Sequence, residues 1–333
     1  MVVVGAVLGV AGYALEQARA DWHPHVQRTS RGWRVNQPYL GINEPSLGGD
    51  HLAWQAGPYT IVMDLRSGRI RPVGAARDAQ SLTPPVVSPD ATMWLEYAGA
   101  SPQRTLVYAF DFASGRRRLL LQTSAYFDVP ALAGTTAYWL RSRGGATAVV
   151  ACDLRSGRRD VLATGNGIGP FLLAGGTLVA WSQQTQPAAP FTLSVRDLTD
   201  GSTRVFTLPG QSSGAVFDTP ILASDTLAWL RVDKQSGLAT ISTYDLTTLA
   251  ARQIVSGRGL VGPGFDGSTV VWAQPAASGS GKVLMGLRLS GGAPFLIADA
   301  PAGVESVMVS GDTVAWWVGT GPRSFVETTR IPQ

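Results

Sequence analysis

Short apolar runs follow one another from residue 31 to the end of the chain, each bounded by glycine, aspartate, serine or proline. Many alternate apolar with polar positions, which predicts half-buried β-strands separated by tight turns. Beyond residue 20 no stretch carries the period of an amphipathic helix. Seven tryptophans set a ruler: Trp54, Trp94, Trp139, Trp181, Trp229, Trp272 and Trp316 lie 40, 45, 42, 48, 43 and 44 residues apart. Each sits in a β-like run such as "HLAWQ", "TLVAW" or "TVVWA", preceded by a turn signal such as Gly49-Asp50, Pro89-Asp90 or Gly311-Asp312. Upstream comes another short strand, which in five units begins with a proline nine residues before the tryptophan: Pro45, Pro85, Pro130, Pro220 and Pro263. A first strand residue need not donate to the ladder, so proline fits there.

Downstream of each tryptophan a third run ends near Asp-Leu or its equivalent ("TIVMDL", "AVVACDL", "ISTYDL"), a second tight turn follows, and a fourth run closes the unit. The hexapeptide "DLRSGR" occurs at 64–69 and again at 153–158 as this second turn. Aspartate accepts backbone amides there and glycine supplies a positive φ. Four antiparallel strands repeated at this period predict an all-β, seven-bladed β-propeller. The last unit has no fourth strand of its own, while "RGWRVNQ" (31–37) precedes the first unit as an orphan β-like run. Pairing the two closes the ring and removes an open edge.

Composition fits a large buried core: 45% of residues are hydrophobic and 15% charged, with 39 glycines and 21 prolines for turns. The net charge of +4 comes with 27 basic residues, all arginine except Lys234 and Lys282. They are dispersed, which reads as compositional bias and not as a nucleic-acid footprint. Cys152, the one cysteine, lies in an apolar run and reads as a buried, inert thiol. Val2 to Leu15 is apolar, short for a membrane-spanning helix, and is followed by a small-x-small pattern, Ala18-Arg19-Ala20, before Asp21. The expected organisation is a short apolar helix in 1–20, acting as signal peptide or anchor, a linker over 21–30, and a propeller over 31–333. Membrane contact is then confined to residues 1–20.

"VVSPDATMWLEY" (86–97) followed by "LVYAFDFASGRRRLLL" (106–121) resembles the TolB-like, or WD40-like periplasmic, propeller repeat. Ser88-Pro89-Asp90 matches that repeat's first turn, and Asp64-Leu65, Asp153-Leu154, Asp197-Leu198 and Asp245-Leu246 match its Asp-Leu hairpin. Most first turns depart from the pattern, and tryptophan replaces the usual phenylalanine. The resemblance implies an exported, non-enzymatic binding scaffold, periplasmic, extracellular or held at the outer side of the membrane.

Strand parity separates the two ends of the ring. The first-to-second and third-to-fourth connections share one end, and nearly every one is a tight Gly/Ser/Asp turn. The second-to-third and inter-blade connections share the other, and there the lengths vary, which marks the expected binding face of a repeat protein. First strands line the channel, so Glu44, Asp128, Asp218 and Glu305 are expected near its mouth, where a carboxylate ring suits a cation or a basic peptide. Capping of blade connections is the plainer role for the same carboxylates. Arg141, Arg143, Lys234 and Lys282 lie on neighbouring loops, and Tyr126, Phe127 and Phe217 offer aromatic contacts. These residues form the candidate binding set.

No catalytic set, cofactor motif or metal site emerges. Gly210-Gln211-Ser212-Ser213-Gly214 matches a nucleophile elbow in letters but leads into a strand, not a helix. Gly279-Ser280-Gly281-Lys282 lacks the Ser or Thr of a phosphate loop, and Gly165–Gly169 lacks the context of a dinucleotide fingerprint. His23-Pro24-His25 has no third ligand nearby. The expected function is a non-catalytic scaffold, monomeric, that binds a protein or glycan and no nucleic acid. The alternative is a glycan-active hydrolase or lyase using the carboxylates at the channel mouth.

Overall fold

A computed structural model describes residues 23–37, 41–75, 79–98, 104–123, 127–143, 145–184, 191–208, 215–217, 220–319 and 323–332. The apolar helix expected in 1–20 lies outside these residues. Every regular element described is a β-strand. They form seven antiparallel sheets, here blades 1 to 7, spanning 43–75, 79–123, 127–165, 168–207, 215–257, 261–300 and 304–330. Innermost strands of successive blades contact one another around the whole circle, blade 7 against blade 1 included.

The ring closes as the orphan run implies. Trp33–Asn36 pairs with Phe325–Arg330 as the fourth strand of blade 7, with Arg34 opposite Glu327 and Val35 opposite Val326. A further strand lies outside it: His25–Arg28, within the segment 21–30, pairs with Trp33–Asn36 as a hairpin. The hairpin also grips blade 1, because the Trp33 indole N–H donates to the Leu65 carbonyl at 2.8 Å.

Each of the seven blade interfaces holds one ruler tryptophan, supplied by the following blade. Trp94 packs in the cluster of Val62 and Val73, Trp139 with Met93 and Leu95, and Trp181 with Tyr138 and Val149. Trp229 packs with Ala180 and Leu193, Trp272 with Ala228 and Ile241, and Trp316 with Val271 and Leu284. Trp54 closes the circle against Trp317 and Val326 of blade 7. All seven are buried, and each contributes about 2–3 kcal/mol by the area it removes from water.

Arginines add clips between outer strands. Arg118 donates to the Leu154 and Arg155 carbonyls, Arg196 to Leu162, Arg204 to Leu246, and Arg288 to Pro332. The dispersal that reads as compositional bias therefore has a structural use: one guanidinium reaches across a seam to a carbonyl that the sheet leaves over.

The prolines require a correction. Pro45, Pro130 and Pro263 stand inside the first strands Asn43–Gly48, Phe127–Ala133 and Val261–Phe265, not at their starts. In each case the ladder is interrupted there: between Asn43 and Ser46, between Asp128 and Ala131, and between Val261 and Gly264. In blades 2 and 5 the same interruption splits the first strand in two, with Pro85 and Pro220 just before the second piece. A bulge leaves a residue unpaired, so a missing N–H costs nothing at that point.

Candidate functional site

The two ends of the ring differ in what their polar groups already do. At the tight-turn end one hydrogen bond recurs in every blade. The amide after the third strand donates to the carbonyl of the first turn: Leu65 to Asp50, Phe112 to Asp90, Leu154 to Thr135, Leu198 to Thr177, Leu246 to Asp225, Leu289 to Ser268 and Ile331 to Asp312, all at 2.7–2.9 Å. The aspartate of "DLRSGR" closes its own turn. Asp153 Oδ1 accepts the amides of Arg155 at 3.0 Å and Ser156 at 2.6 Å, and Asp64 Oδ1 accepts those of Arg66 at 2.8 Å and Ser67 at 3.1 Å. Hydrogen bonding from Ser156 holds the Asp153 carboxyl below its ordinary range. For Asp64 burial pushes upward, and the Ser67 and Arg66 amides outweigh it. His51 stacks on Phe112 with ring centroids 3.7 Å apart, and burial lowers its pKa so that it stays neutral.

At the opposite end the first-strand bulges face the channel mouth. In blades 1, 3 and 7 they carry or adjoin a carboxylate. Glu44 occupies the bulge of blade 1 with φ at 37° and is exposed. Glu305 is the skipped residue of blade 7, between the pairs Val304–Val318 and Ser306–Trp317, and is also exposed. Asp128 is the last paired residue before the bulge of blade 3, opposite Leu140. Blades 2, 4 and 6 place Thr83-Pro84-Pro85, Pro170-Phe171 and Gly262-Pro263 at this point, without charge.

The described backbone puts Phe127 opposite Arg141, which is exposed, and Phe217 opposite Arg231. Arg143 ends the second strand of blade 3 opposite Ala146. Tyr126 and Asp218 lie outside the described residues. Lys234 is exposed in the Asp233–Gly237 turn. Lys282 opens the third strand of blade 6, where burial pulls its ammonium down and the field of Glu305 works against that. Lys282 therefore offsets part of the charge of Glu305.

Sequence reasoning missed Arg231. Its Nε is buried without a hydrogen-bond partner. The signal was there: "FD" at 127–128 and 217–218 is followed in both units by an arginine two residues past the tryptophan, Arg141 and Arg231. In both blades the described backbone sets the phenylalanine opposite the arginine, Phe127 across from Arg141 and Phe217 across from Arg231.

The other motifs resolve into turns. Ala276 donates to the Gly281 carbonyl and Gly279 to that of Ala276, so 276–281 is a self-closed hairpin turn. Asn166-Gly167 links Arg159–Gly165 to Ile168–Gly175 as the connection between blades 3 and 4. Residues 210–214 lie outside the described residues, and His25 of the His23-Pro24-His25 motif opens the strand His25–Arg28. Cys152 is buried, and burial raises its pKa. No helix of the described residues is long and apolar enough to cross a membrane.

By sequence, neither a protein-family model nor a curated protein matches the chain. By structure, the chain is similar to an oligogalacturonate lyase in complex with manganese, at 12% identity and TM-score 0.61 over 93% of this chain and 96% of that one. The β-propeller domain of the Trilobed protease from Pyrococcus furiosus matches at 12% identity and TM-score 0.60, over 88% and 97%. TolB from Acinetobacter baumannii superposes at 11% identity and TM-score 0.43 over 92% and 80%, too loosely to single out one propeller type. At such identities the likeness shows the fold alone: a seven-bladed β-propeller.

Proposed function

We propose that the protein is an exported, non-catalytic scaffold that binds a protein or glycan partner at the channel-mouth end of its propeller. One observation carries the reading. At the tight-turn end the Asp64 and Asp153 carboxylates are taken up by the amides of their own turns, whereas at the mouth Glu44 and Glu305 stand exposed at bulges. Exposed carboxylates that the turns do not use are available to recognise a partner. The mixed charge of carboxylates and guanidiniums suits a polar or basic peptide segment, or the hydroxyls of a glycan. Residues 1–20 direct export as a signal peptide or stay as an anchor. Secreted material whose intact mass begins at Asp21 supports cleavage, and an unprocessed membrane-bound form refutes it.

The test compares capture from an envelope extract and on a glycan array. Wild type is set beside a mouth variant (Glu44→Gln, Asp128→Asn, Asp218→Asn, Glu305→Gln) and a turn-end variant (Arg69→Ala, Arg155→Ala). The same partner should be held by wild type and turn-end variant and lost by the mouth variant, with all three folded. Capture that survives in the mouth variant contradicts the reading. So does turnover of a glycan that these four substitutions abolish.

A further inference from the structure

A cavity of about 280 Å³ lies at the ring's closure, where three segments meet. The turn of the N-terminal hairpin supplies Arg28, Thr29, Ser30 and Arg31; the first "DLRSGR" supplies Leu65 and Arg66; the last blade supplies Thr313, Thr328, Thr329 and Arg330. Its wall carries four guanidiniums, five hydroxyls and no carboxylate. Two guanidiniums are matched from outside the cavity, Arg66 by Asp50 at 2.5 Å and Arg330 by Asp312. Arg28 and Arg31 have no ion pair among the described residues, and Arg28 rests over the Trp33 ring, 5.5 Å from its centroid. Two uncompensated positive charges therefore face one polar cavity.

The hydroxyls point the same way. Thr29 Oγ1 already accepts the amides of Arg31 and Gly32, and Thr328 Oγ1 accepts that of Trp33. With these oxygens acting as acceptors, their protons remain to be donated. A neutral or cationic ligand gains little from such a wall. A dianion with several acceptor oxygens gains charge-assisted hydrogen bonds from forked guanidiniums. The volume is several times the roughly 30 Å³ of one water in the liquid, which leaves room beside a phosphate for a small substituent.

We infer that this cavity binds the phosphate group of a small soluble ligand, inorganic phosphate or a phosphate monoester. The ligand bridges hairpin, blade 1 and last strand, so it binds the closed ring and not the unfolded chain, and it stabilises closure by mass action. The site lies at the end of the ring opposite the channel mouth and stands apart from the proposed scaffold function.

The full chain is titrated calorimetrically with sodium phosphate and with glycerol 1-phosphate at fixed ionic strength, against sodium chloride, and its Tm is followed in parallel. Saturable binding and a raised Tm are expected. The double variant Arg28→Ala/Arg31→Ala, both exposed, should keep its Tm in chloride and lose affinity by about tenfold or more. Binding no stronger than chloride, or undiminished in the double variant, overturns the inference. Adsorption to phosphatidylglycerol vesicles without binding of either soluble phosphate also overturns it, because it assigns the arginines to a membrane surface.

Discussion

The two copies of "DLRSGR" are identical in letters and different in surroundings. Gly157 has φ at 75° and nothing near the position of a Cβ, whereas Gly68 has φ at 73° and a Cβ there would stand 2.5 Å from the Trp33 ring. Gly157→Ala therefore bears only the left-handed backbone cost, about 1–2 kcal/mol. Gly68→Ala bears that cost and also pushes the indole off blade 1, so its loss of stability should exceed that of Gly157→Ala. Thermal or urea denaturation of the pair checks this, and equal losses would refute the latch contact. The equivalent turn of blade 5 holds Leu249 at φ 60°, exposed where its counterparts have glycine. Leu249→Gly should raise stability by about 1 kcal/mol by relieving that strain; a lowered Tm contradicts it. None of this is readable from the hexapeptide itself, because the contact that separates its copies comes from the opposite terminus.

Strands and turns show why some elements were legible and others were not. Tryptophan spacing and Asp-Leu turns mark the blades because burial at every interface demands the first and backbone geometry the second. Bulges leave hardly a trace in an alternating pattern; the proline nine residues before the tryptophan is that trace, and it reads as a strand start until the ladder is seen. His25–Arg28 is exposed along its length, so no hydrophobic signal announces it. Glu44, Asp128 and Glu305 were legible as first-strand residues by position, but Arg231 needed two units to be laid side by side. Turn chemistry also sets the acid response. Asp153, by the Ser156 amide, and Asp245, by the Thr248 amide, have lowered pKa values, so each contributes stability above the ordinary carboxylate range and loses it as pH falls through the folded value. His51, lowered by burial, is protonated more readily unfolded, so stability begins to fall below about pH 6.5 and falls faster below about pH 4. Urea midpoints across this range should show both stages, with Asp153→Asn and Asp245→Asn flattening the lower one; a flat profile down to the carboxylate range would contradict the half-buried His51 with its lowered pKa.

The whole molecule depends on a circle closed by its own ends. Seven like-sized sheets stack through seven indoles, and blade 7 becomes complete only when Trp33–Asn36 supplies its outer strand. Both functional readings rest on that closure: the mouth needs the first strands in a ring, and the phosphate cavity needs the hairpin beside the last strand. The most direct measurement is disulfide formation in an Arg34→Cys/Glu327→Cys protein, the two positions being register partners with both native side chains on the same ladder. Under mild oxidation the folded chain should gain one intramolecular bond, seen as a loss of two mass units per chain after thiol blocking is accounted for, and its Tm should rise above that of the reduced form. Free thiols at both positions in the folded, oxidised protein would mean that the ends do not meet, and the closed propeller would be wrong.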